Sequence, residues 1–244
     1  MKDTDGLVGN SGLNFSLFTL VKYLVYALLS INIFLFLQEE MLALEHTFVD
    51  GFELGQIIQV FSATIDTAAW VLLLLLFELE TSVLDDSKIH GPVKWTLHGV
   101  RLVCYVAVFY AFTGYYAELA TLYQTAEMAG FNACSSLDHG WSILTDIDEY
   151  EPLSAANCGS MGAVIHQLAD FDIVVDSERL QSARWLGWTD VINSASWLLV
   201  VLVLEVEVRL QVRGNLSEQI MDVTKFVKYA VYGALFVCAG YWGV

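Results

Sequence analysis

Proline is nearly absent, with 2 residues in 244, and charged side chains are scarce at 16%. Soluble domains carry about 25% charged and about 45–50% apolar residues. Here 56% of the chain is apolar and the mean hydropathy is +0.56, which excludes an ordinary globular surface. Basic residues are scarcest of all: 11 Lys and Arg stand against 28 acids, a formal charge of −17. Phosphate-rich partners would be repelled, so nucleic acid and anionic headgroups are excluded as ligands. Disorder is excluded as well, since disordered chains are poor in apolar residues.

Signatures of chemistry are equally sparse. The chain has no Gly-rich phosphate loop, no H-E-x-x-H and no Gly-x-Ser-x-Gly, so no enzyme class is indicated. Its 4 cysteines lack the C-x₂-C and His–Cys spacings of zinc modules. No EF-hand spacing occurs, and Asp146-Ile-Asp-Glu-Tyr-Glu151 is only a loose approach to a calcium loop. Of the five histidines (His46, His90, His98, His139, His166), only His98 falls in an apolar stretch. That argues against a haem held by two membrane histidines. His139 and His166 with Asp138 and Asp170 have no spacing that ties them into a metal site. No cofactor is expected.

What the chain does have is long apolar runs. A membrane-spanning helix needs about 20 apolar residues to cross about 30 Å of hydrocarbon. Five stretches qualify, near Leu17–Leu37, Ile57–Phe77, Leu97–Ala120, Trp188–Leu204 and Phe226–Gly243. In lipid each must be a helix, because unpaired backbone groups have no water to bond. The first stretch has an acidic flank and no small-residue cleavage site, so it reads as a retained helix rather than a signal peptide. Lys2, Lys88, Lys94, Arg209, Arg213 and Lys225 flank one side of these spans, whereas Arg179 and Arg184 alone fall on the other. The positive-inside rule then expects a cytoplasmic N-terminus in an inner (plasma) membrane. Segments 38–56 and 121–187 and the C-terminus are expected outside. Cys134 and Cys158, in the long external segment, are expected to form a disulfide in an oxidising compartment, the alternative being two free thiols.

An internal repeat stands out. Residues 66–80, DTAAWVLLLLLFELE, align without a gap on residues 193–207, NSASWLLVVLVLEVE, matching Trp70 with Trp197, Glu78 with Glu205 and Glu80 with Glu207. The odd spans share VKYLVYALL from Val21, VRLVCYVAV from Val100 and VKYAVYGAL from Val227, each placing a basic residue four before a tyrosine. The expected fold is therefore an all-α integral membrane protein of five transmembrane helices. They form two and a half parallel helical-hairpin repeats with an external, irregular, disulfide-tied cap. The unpaired fifth span makes a homo-oligomer or a membrane subunit partner the expected assembly.

Polar groups in the spans carry the functional expectations. Asp66 is expected near the bilayer middle, where a charged carboxylate costs about 2.5–3.5 kcal/mol. It either binds a proton or cation, with Asn193 and Asp190 as neighbours, or is protonated glue hydrogen-bonded to Asn193, Thr67 or Ser194. Glu78, Glu80, Glu205 and Glu207 stand where the even spans leave the membrane. With Lys22, Arg101 and Lys228 they form either an ion-pair belt or a ring of carboxylates at a pore mouth. Ten acids in segment 121–187 could concentrate small cations or simply solubilise the surface. The reading that follows is a cation or proton channel or transporter. The alternative is a non-catalytic subunit or scaffold, with a ligand-binding sensor or membrane enzyme behind both.

Overall fold

The computed structural model describes residues 11–47, 60–80, 84, 90–147, 149–168, 171–212 and 217–243. Five helices and a small sheet make up the described chain: α1 (Ser11–Thr47), α2 (Ser62–Glu78), α3 (Gly91–Thr121), α4 (Ser177–Val212) and α5 (Glu218–Trp242). Four of them contain segments long and apolar enough to cross a membrane by length and composition: Thr19–Leu44, Gly91–Thr121, Ser177–Gln211 and Glu218–Trp242. The fifth, α2, has 17 residues and so reaches about 26 Å, a little short of the hydrocarbon thickness. The expected second span began at Ile57, and residues 57–59 lie outside the described chain. Lys2, Lys88, Arg213, Asp148 and Asp170 also lie outside it.

Local signals set the helix ends. Pro92 occupies the first turn of α3, where a missing N–H costs nothing. Asp176 Oδ1 accepts the Glu178 and Arg179 amides at 3.1 and 2.9 Å and starts α4, and Ser217 caps α5 through the Ile220 amide. The helices pack in chain order, α1 on α2, α2 on α3, α3 on α4 and α4 on α5. Ala69, Cys104 and Val108 fill the centre, with Trp70 and Leu198 against them. Outward faces are apolar: Leu20, Leu28 and Phe34 on α1 and Phe226, Tyr229 and Phe236 on α5 are all exposed. This is the pattern of a lipid-facing surface, since lipid rather than the protein interior is then the apolar solvent.

α1 runs on past residue 38 to Thr47 and keeps Glu39 and Glu40 helical. The long segment 121–187 is not an irregular cap, so the molecule is not all-α. It folds as a five-stranded mixed sheet, β1 (Thr125–Glu127), β2 (Ser142–Asp146), β3 (Glu149–Pro152), β4 (Ile165–Leu168) and β5 (Ile173–Asp176), in the order β1-β4-β5-β2-β3. Only β2 and β5 pair in parallel. Side chains alternate between two cores, as the pleat requires. Leu144, Ile173 and Val175 face Leu122 and the first turns of α4 at Leu180 and Ala183. Ile143, Val174 and Ile165 face Ala133, Leu153 and Cys158. With both faces covered, β5 reads Ile-Val-Val-Asp and is buried throughout. The second core is tied by a disulfide between Cys134 and Cys158, Cα atoms 5.1 Å apart.

Candidate functional site

Polar side chains concentrate at the two ends of the helical layer. At the end away from the sheet, basic and acidic residues pair across successive helix seams. Lys22 Nζ on α1 donates to Glu78 Oε1 on α2 at 2.6 Å. Arg101 Nη2 on α3 donates to Glu80 Oε2 at 2.5 Å. Lys228 Nζ on α5 donates to both carboxylate oxygens of Glu207 on α4 at 2.9 and 2.8 Å. Glu205 pairs instead with Arg209 one turn on, at 2.8 Å and largely exposed. Residues i and i+2 point about 200° apart, so Glu78 serves one neighbour of α2 and Glu80 the other. The carboxylates sit in separate seams and are not gathered as a ring.

At the sheet end two acidic side chains are buried among the helices. Glu40, 2% exposed, accepts the Ala63 and Thr64 amides at 2.8 and 3.2 Å. A carboxylate from α1 thus caps α2, where the first-turn amides lack helical partners and the helix dipole favours negative charge. Asp66, 9% exposed, lies one turn further along α2. Its side chain hydrogen-bonds that of Trp70, while Oδ1 has no partner. On α3, Tyr115 lies within electrostatic reach of Asp66, Asp190, Glu40 and Glu118, carboxylates contributed by all four of the helices α1 to α4. Ser194 on α4 is 2% exposed and its Oγ has no partner.

Helical rise places these groups. Taking the ion-pair layer as origin and about 1.5 Å per residue, Asp66 stands about 18 Å along α2, Tyr115 about 21 Å along α3 and Glu40 about 27 Å along α1. All three lie towards the sheet end of their helices. Asp66 stands in the second turn of α2, which begins at Ser62. Asp66 and Asp190 are both within electrostatic reach of Tyr115, and the side-chain hydrogen bond of Asp66 goes to Trp70. The contributions of Glu40, Glu118 and Tyr115 were not signalled by sequence. Glu40 sits at the end of an apolar run that reads as finished, and nothing local shows a carboxylate capping a helix 23 residues on.

The sheet domain has its own polar cleft, of about 630 Å³, lined by Asp146, Ser160, Asp176 and Arg179 among others. Asp176 is committed there to the α4 amides and to Arg179, Nη1 to Oδ2 being 3.2 Å. Among the described residues no three His, Cys, Asp or Glu come together as a metal-ion set. Long apolar helices, with a disulfide-tied sheet between two of them, define a membrane protein. The chain matches no family model, and comparison with curated proteins and with solved structures found no match.

Proposed function

We propose that this protein binds a proton or small cation within the membrane and moves it as a channel or transporter, with Asp66 as the binding carboxylate. One observation carries the reading: a carboxylate buried among the helices keeps an oxygen without a partner. A charged carboxylate in low dielectric is costly, and a proton or cation offsets it. The sheet side is the proposed outer side, because the ion-pair side holds most flanking Lys and Arg and the sheet carries the disulfide. The ion-pair belt sets helix rotation and depth. The repeat belongs to the same proposal: the 127-residue offset that relates Glu80 to Glu207 also relates Arg101 to Lys228, and both pairs are ion pairs.

A non-catalytic subunit of a larger assembly is the second reading. Its support is the flank of α5, where Phe226, Tyr229 and Phe236 stand 74–79% exposed and could seat a partner helix as well as lipid.

Flux of protons and Na⁺ into liposomes holding purified protein tests the first reading. Wild type is expected to conduct, and Asp66→Asn to fall to the level of empty liposomes while keeping its fold. Equal flux in both proteins contradicts the role of Asp66. No flux from folded wild type moves the weight to the second reading.

A further inference from the structure

The occupant of the Asp66 site can be narrowed to one class, and the step rests on the transport reading above. Trp70 and Trp197 meet with ring centroids 5.7 Å apart, joining α2 to α4. Asp66 lies four residues before Trp70 and Ser194 three before Trp197, spacings that keep each on the face of its tryptophan. Each therefore lies on the helix face that carries the tryptophan contact, one turn nearer the sheet. Each is at least nine-tenths buried, and each has one oxygen, Asp66 Oδ1 and Ser194 Oγ, without a hydrogen-bond partner. Buried polar groups are almost always satisfied, so two unsatisfied oxygens on the two faces that the tryptophan pair joins mark a place built for something else. Trp70 engages the rest of the Asp66 side chain and leaves Oδ1 for it.

We infer that Asp66 and Ser194 are the paired oxygens of a site for a single positive charge, a proton or a Na⁺-sized monovalent cation, and that divalent ions are excluded. One carboxylate and a hydroxyl suit one charge. Ca²⁺ takes six to eight oxygens with several carboxylates, and Mg²⁺ requires an octahedral shell, whereas no metal-ion set occurs among the described residues. The titratable groups of the neighbouring layer are Glu40 from α1, Tyr115 and Glu118 from α3, and Asp190 from α4, the three acids and Asp66 all within electrostatic reach of Tyr115.

Dicyclohexylcarbodiimide, which reacts with protonated carboxyl groups in apolar surroundings, reads the site in full-length protein in bilayer nanodiscs, with the adduct located by peptide mass spectrometry. Wild type is expected to be labelled at Asp66, and Asp66→Asn to lose that adduct. If the occupant is Na⁺, labelling slows about elevenfold at ten times its dissociation constant, as one site in eleven stays free, and choline at equal ionic strength does not slow it. If it is a proton, only rising pH slows labelling. In either case Ser194→Ala shifts the dependence and Ser194→Thr restores it. Protection by Ca²⁺ or Mg²⁺ beyond ionic strength overturns the inference, as does a Ser194→Ala profile identical to wild type. Asp66 unlabelled at every pH, with flux unchanged in Asp66→Asn, defeats the underlying transport reading instead.

Discussion

Single side chains show how the same residue types do different work at the two ends of the helices. The Lys228–Glu207 pair leaves about a fifth of each side chain exposed, whereas Arg209 and Glu205 are 69% and 45% exposed. Surface pairs contribute about 0–1 kcal/mol and broken buried pairs cost about 3–5 kcal/mol. Lys228→Ala is therefore expected to destabilise the folded protein by about 1–3 kcal/mol, and Arg209→Ala by under about 0.5 kcal/mol, in detergent unfolding measurements. Exchanging the charges, Lys228→Glu with Glu207→Lys, is expected to recover most of the loss, and no recovery would mean that the pair does not act as a pair. The residues of this belt were legible in sequence because charge in an apolar run is conspicuous. Their partners across the seams were not, since spacing gives depth and leaves the choice of neighbouring helix open.

At the scale of elements, the apolar helices could be read directly and the sheet could not. Strands of three to five residues are too short for a period-2 pattern to register, and β5 is buried on both faces, so it shows a run rather than an alternation. Its ten acids made segment 121–187 look like a solvated coat, although Ile143, Leu144, Ile173, Val174 and Val175 are each at most 1% exposed. Two predictions belong here. The disulfide closes a 24-residue separation, and Cys134→Ser with Cys158→Ser is expected to lower the stability of the sheet domain by about 3 kcal/mol. Hydrogen exchange of β2 and β5 reads that loss, and unchanged protection would contradict it. Gly187 sits where α4 meets α3 and the sheet: a Cβ there would stand 3.2 Å from Leu119 and 3.3 Å from Ile147. Gly187→Val is expected to cost about 1–3 kcal/mol by overpacking, and Gly187→Ala less, measured as a downward shift of the unfolding midpoint.

For the molecule as a whole, the proposed orientation has the sheet outside and the ion-pair belt inside. Glu127 on the edge strand and Lys94 at the start of α3 are both exposed, so single cysteines there report the two sides. A membrane-impermeant maleimide on intact cells is expected to label Glu127→Cys and to label Lys94→Cys only after lysis; the reverse pattern would invert the topology. Asp66, a lone carboxylate in an apolar run, is visible in one dimension, whereas the approach of Asp66, Glu40, Glu118 and Asp190 to Tyr115 depends on packing four helices. The central claim, that Asp66 carries an exchangeable positive charge inside the membrane, is tested most directly by infrared spectroscopy of the protein in lipid while pH and Na⁺ are varied. The account predicts a carboxylic-acid C=O band that comes and goes with those conditions and is missing in Asp66→Asn. A spectrum that neither responds to them nor differs between wild type and Asp66→Asn would contradict it.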